Sequence, residues 1–160
     1  MSFVEEVEID GKTYQVERKE YFEKQPIELE FRYVQLESEV LITGLGLPAW
    51  KSDLAPMYAG FSNNRQFVLI GVILGDYDRA RRGNPSLPYV AFKVEKNQWV
   101  EIPVPPEFHG RKATFLIGAN PTSGEKALVK APEREFRNSV SARGIARVID
   151  LKLTKQEGKK

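Results

Sequence analysis

One histidine, His109, and no cysteine occur in the 160 residues. A Ser–His–Asp relay or a histidine-ligated metal would have to be built on that one ring. Its setting, Pro106-Glu-Phe-His-Gly-Arg111, reads as a turn between strands, where a solvated imidazole is common. Zinc at His109 would need three further carboxylate ligands, an unusual set for a structural site. Without cysteine there is no thiolate nucleophile and no disulfide. The sequence implies no catalytic constellation, no metal and no cofactor.

The most unusual stretch runs from Gly75 to Pro85. Asp76 and Asp78 stand two apart, as in a cation-binding loop, but the further oxygen ligands and closing Glu of a calcium loop are missing. Arg79, Arg81 and Arg82 follow instead. Two arrangements satisfy these charges. The aspartates neutralise the arginines within the loop, or the guanidinium forks receive carboxylates or phosphates of a partner. On the second reading Asp76, Tyr77, Asp78, Arg79, Arg81, Arg82 and Tyr89 form a partner-binding surface, and an acidic protein is its complement.

Other candidates are weaker. Gly118-Ala-Asn-Pro-Thr-Ser-Gly124-Glu-Lys126 has the glycines of a phosphate loop, but Glu125 splits the Gly-Lys pair and Ala127 replaces the hydroxyl that would reach Mg²⁺. Six aromatics lie in or next to expected loops: Trp50, Tyr58, Tyr77, Tyr89, Trp99 and Phe108. Such residues plug the ends of a core or stack on a sugar or other ligand; Trp50 and Trp99 anchor that alternative. A third reading is a carboxylate-based hydrolase using Asp53, Asp76 and Asp78.

The elements carrying these residues read as strands. Val7 to Val16 predicts a hairpin around Asp10-Gly11, the pair favoured in a two-residue type I′ turn. Glu17 to Gln25 reads as a charged stretch with one helical turn, closed by Pro26. Ile27, Leu29, Phe31 and Tyr33 alternate with polar residues as a half-buried strand, and Val40 to Leu47 is a second, bent at Gly44 and Gly46. Pro48 to Gly60 lacks a two-residue period, and Ser52 there is a candidate cap for a short helix.

Phe67 to Leu74 is apolar and β-branched enough for a strand buried on both faces. Asp76 to Pro88 reads as a polar loop. Tyr89–Val94 and Gln98–Ile102 flank Lys96-Asn97 as a second hairpin. Ala113–Ile117, Ala127–Lys130 and the alternation Ile149, Leu151, Leu153 predict further strands, and Pro132 opens a helix ending near Gly144. Eight to ten strands spaced by Gly, Pro and Asn predict an antiparallel β-sandwich or partly closed barrel with one or two short helices.

Residues 1–154 read as a single β-rich domain and 155–160 as a polar tail. The net charge of +2 hides an asymmetry: residues 1–40 hold 11 acidic and 5 basic side chains, and 126–160 hold 4 and 10. The simplest expectation sets the two ends side by side. A pI near 8.8 without a recognisable nucleic-acid motif argues against nucleic acid. No apolar run reaches the ~20 residues of a membrane helix, and Glu5 and Glu6 replace the cations of a secretory signal. The expectation is a soluble chain, cytoplasmic or a periplasmic domain whose signal has been removed. The favoured function is a non-enzymatic protein-binding module, alone or within a larger assembly. The alternatives are a carbohydrate- or ligand-binding sandwich and a hydrolase.

Overall fold

The computed structural model describes residues 1–28, 30–117, 128–141 and 144–152. Strands β1 (Ser2–Ile9), β2 (Lys12–Ile27), β3 (Glu30–Ile42) and β4 (Trp50–Ser52) lie antiparallel in the order β4-β3-β2-β1, and the two-residue β9 (Leu128–Val129) adds parallel to β1. A second antiparallel sheet has the order β5 (Ala55–Phe61), β6 (Phe67–Val72), β7 (Tyr89–Glu95), β8 (Gln98–Ile102). The architecture is a sandwich of two open sheets, mainly β as its composition predicts.

The turns follow backbone chemistry. Asp10 and Gly11 take φ of 49° and 78°, and Lys96 and Asn97 take 51° and 61°, the paired positive values that a twisted two-residue hairpin needs. Alternation along β1 buries Phe3, Glu5, Val7 and Ile9 and leaves Ser2 and Glu8 outside. Val7, Ile9, Val16, Val40 and Ile42 of the first sheet meet Leu69 and Phe92 of the second, with Trp50 and Phe115 in the same cluster. Met57, Val68, Ile70, Val72, Tyr89 and Ala91 pack in a second cluster with Phe108, Ile117, Ala146 and Ile149. β5 and β6 are therefore buried on both faces, and β6 is the central strand its composition predicts.

Several elements differ from the sequence reading. Glu17 to Gln25 contains no helical turn, because β3 holds all of it as strand and β1 with Met1 pairs alongside as far as Glu20. The expected strand through Ile27–Tyr33 is split: Ile27 ends β2, Glu28 turns with φ of 52°, and Glu30 begins β3. The side chains at 27 and 31–34, and residue Leu29, lie outside those described. Pro48–Gly60 forms β4 and most of β5 rather than a helix, and Ser52 accepts from the Leu54 N–H at 3.1 Å.

Ala113–Ile117 is not a ladder strand. It covers the edge of β5, where Thr114 and Phe115 N–H both donate to the Met57 carbonyl. Val148 makes one isolated bridge to Lys112, and no strand follows it among the described residues. Helices α2 (Ala131–Ser141) and α3 (Gly144–Arg147) replace the single expected helix. The phosphate-loop-like segment 118–126, Ala127 and Leu153 with the tail lie outside the described residues.

The two oppositely charged ends do meet. Beside the β1–β9 pairing, Arg134 on α2 donates to Glu5 Oε1 at 3.2 Å and to the Glu6 carbonyl at 2.6 Å.

Candidate functional site

The arginine segment is not an open loop. Its first half is the short helix α1 (Asp76–Arg81), stopped at Gly83, whose φ of 82° and N–H bond to Ala80 O close the turn. That geometry turns Arg79 one way and Arg81 and Arg82 another. Arg79 folds back on its own loop, donating through Nε and Nη2 to the Pro85 carbonyl and through Nη2 to Ser86 O. Arg81 Nη2 reaches Asp53 Oδ2 and Asp78 Oδ1, both at 2.9 Å. Arg82 Nη2 meets Asp53 Oδ1 at 2.5 Å.

Asp53 is thus the anion both arginines share, and no local pattern around 76–82 announced it. Burial pushes its carboxyl up, but the hydrogen bond and charge of Arg82, joined by Arg81, outweigh that and hold it below the usual value. The side chains of Asp76 and Tyr77 lie outside the described residues.

A cleft of about 170 Å³ lies here, lined by Asp53, Leu54, Leu74, Asp78, Arg81 and Arg82, with Gln35 of β3 on its wall. Of the predicted residues, Asp78, Arg81 and Arg82 border this concavity together with Gln35 at the base of the β2–β3 hairpin, and Arg79 does not. Tyr89 does not join them. It is buried, its hydroxyl donating to Val148 O and accepting from the Asp150 N–H. Burial pushes its phenol pKa up; the Asp150 N–H bond opposes this and the Asp150 charge adds to it.

The aromatic alternative fares differently at each residue. Trp50 is only 1% exposed and packs edge-on against Phe92 in the core, so it cannot serve as a platform. Trp99 is half-buried, donates Nε1 to Pro48 O at 3.0 Å and stands edge-on to Phe67. Neither lines the cleft. Tyr58 and Phe108 are buried against each other. His109 is an exposed turn residue whose Nδ1 accepts from the Leu151 N–H, with Asp150 at 3.9 Å. Among the described residues no three His, Asp or Glu side chains converge to hold a metal ion, and no helix is long and apolar enough to cross a membrane.

Two features escaped the sequence reading. The first is a buried ionic network. Arg18 donates to Glu5 Oε2 at 2.6 Å, to Glu20 Oε1 at 2.5 Å and to Leu116 O, while Ser38 and Gln35 donate to Glu20 Oε2. Burial alone would push the Arg18 guanidinium down; Glu5 and Glu20 outweigh it and keep the pKa above its ordinary value.

The second is a ribbon. Among the described residues, β1 with Met1 pairs along β2 only as far as Glu20, and β4 pairs with β3 only at Val40, Glu39 and Ser38. Beyond them Tyr21–Ile27 and Glu30–Glu37 continue as a two-stranded extension, bulged between Tyr21 and Phe22. At ~3.4 Å per residue this reaches about 20 Å past its neighbours. Tyr21 and Leu36 at its base are 45% and 49% exposed. A sequence signal for it exists: from Lys12 to Thr43 the chain has no Gly, Asn or Asp, as two long strands would require.

No family model, curated protein or solved structure matches this chain.

Proposed function

We propose that this domain is a non-enzymatic protein-binding module that engages its partner through the β2–β3 ribbon and the cleft at the ribbon's root. The carrying observation is the ribbon itself. Two strands alone in water are marginal, and a pair projecting past its sheet gains most when another surface covers it. The large apolar side chains Tyr21 and Leu36 stand exposed at its base, where interfaces commonly find their anchors.

The site chemistry supports the same reading. A general acid or base works best with a pKa near the operating pH. Asp53, the best-positioned carboxylate of the cleft, is shifted the other way and clamped by two arginines.

Excision of residues 23–34, with Asn-Gly joining Phe22 to its partner Gln35, tests the proposal because it keeps the register of the remaining pairs. The shortened chain should keep its melting temperature within a few degrees and lose a partner that the full chain captures and mass spectrometry identifies. Capture at full strength by the shortened, folded chain would contradict the proposal.

A further inference from the structure

The two free edges of the ribbon are not equivalent. On β2 the edge contains Pro26, which has no N–H to offer, and a proline blunts an edge against further pairing. On β3 the segment Glu30-Phe-Arg-Tyr-Val-Gln-Leu-Glu37 has no proline, glycine or lysine and is rich in aromatic and β-branched residues. Among the described residues no strand pairs with it on the side away from β2, because β4 ends at Ser52, opposite Ser38. Among the described residues nothing therefore pairs in line with β4 over about one strand length, which ends at the cleft lined by Gln35 and Asp53.

Charge selects the occupant. From residue 21 to residue 39 the hairpin carries Glu23, Glu28, Glu30, Glu37 and Glu39 against Lys24 and Arg32. Beside its base the outward face is mixed, with Glu39 standing between Lys19 and Lys51 of the neighbouring strands, so the acidic excess belongs to the projecting part. Two copies of such an acidic ribbon repel when laid edge to edge, since like charges across a ladder destabilise it. A segment alternating apolar residues with Lys or Arg meets no such penalty. Among the described residues no three carboxylates converge to hold a metal ion, so an extended cation fits better.

We infer that the free edge of β3, Glu30–Glu37, receives an extended basic segment of a partner protein as an added β-strand. The inference rests on the ribbon being the partner surface and names the partner's chemistry. It also departs from the acidic partner expected of the α1 arginines, whose described charges are met inside the fold by Asp53, Asp78 and the 85–86 carbonyls.

The test uses the full chain and three peptides of roughly eight residues, the length of one strand. One alternates Val and Lys; the second alternates Val and Glu; the third is the Val-Lys peptide N-methylated at every residue, which keeps its charge and cannot donate backbone hydrogen bonds. Hydrogen exchange at residues 30–37 should slow about tenfold or more with the Val-Lys peptide. That protection should weaken between ~50 and ~300 mM salt. The other two peptides should leave exchange unchanged.

Equal protection by the Val-Glu peptide would overturn the choice of a basic partner. Equal protection by the methylated peptide would overturn strand addition, and so would no protection by any peptide. A concentration-dependent dimer in sedimentation, with 30–37 protected before any peptide is added, would make a second copy the occupant and overturn the inference as well. The Asn-Gly-shortened chain separates the two levels. If shortening abolishes capture of an identified partner while the Val-Lys peptide does nothing, this inference fails and the proposed function stands.

Discussion

Arg18 and Asp53 show how single charges are handled in this fold. Arg18 lies between Glu5 and Glu20 almost out of contact with water, and its Nε is buried without a partner. Removing one member of such a network leaves an uncompensated buried charge. Arg18→Met should therefore cost about 3–5 kcal/mol by denaturant unfolding, whereas Glu5→Leu/Arg18→Met/Glu20→Leu should recover much of the loss. A single variant as stable as the parent would show the network to be dispensable. Asp53 makes a pH-dependent prediction. Its folded pKa is depressed, so its contribution is present above the ordinary carboxylate value of ~4 and is lost as pH falls through the lower folded value. Asp53→Asn should thus lower the melting temperature at pH 7, and the gap to the parent should close in strong acid. Neither role was legible in the sequence. Arg81 and Arg82 lie 28 and 29 residues from Asp53, and although Glu20 is two residues from Arg18, Glu5 is 13 away and on another strand, so only the fold assembles each set.

At the scale of elements, hairpins with φ > 0 residue pairs were legible and the ribbon was not. Asp10-Gly11 and Lys96-Asn97 mark their turns by residue type, but Glu28-Leu29 carries no such signal. The alternation Ile27–Tyr33 was therefore read as one strand when it spans the end of one and the start of the next. The helix α1 was missed for a related reason: six residues are too few for a hydrophobic period to show. At Gly11 a Cβ would meet nothing within 4 Å, so substitution there isolates the backbone. Gly11→Val should destabilise by about 1–2 kcal/mol and Gly11→Asn by less; equal losses in thermal unfolding would contradict the turn geometry. The central strand β6 was legible from composition because burial on both faces leaves no polar alternation. Leu69→Ala, at a fully buried position, should cost about 2–5 kcal/mol. A loss below about 1 kcal/mol would be that of an edge strand, not a core one.

On the scale of the whole molecule, charge asymmetry works in two ways. It helps close the chain, because the acidic N-terminal strands receive β9 and Arg134 from the basic C-terminal part. It also leaves the ribbon acidic and partly uncovered. The closure predicts a modest loss of stability between low salt and ~1 M NaCl, where the screening length shrinks to ~3 Å, with Arg134–Glu5 resisting because it is buried. Stability that rises steadily with salt would contradict the electrostatic part of the closure. The sequence could anticipate that the ends meet but not which charges remain outside, since that depends on strands ending at different lengths. The central claim is that the ribbon is the partner surface. It is tested most directly by placing a photo-crosslinking side chain at Leu36, on the ribbon, or at Lys96, in the β7–β8 turn, and irradiating the full chain in the cells that make it. Crosslinks to one identified protein from position 36 and none from position 96 are the predicted result. A silent position 36 beside a productive position 96 would contradict the account.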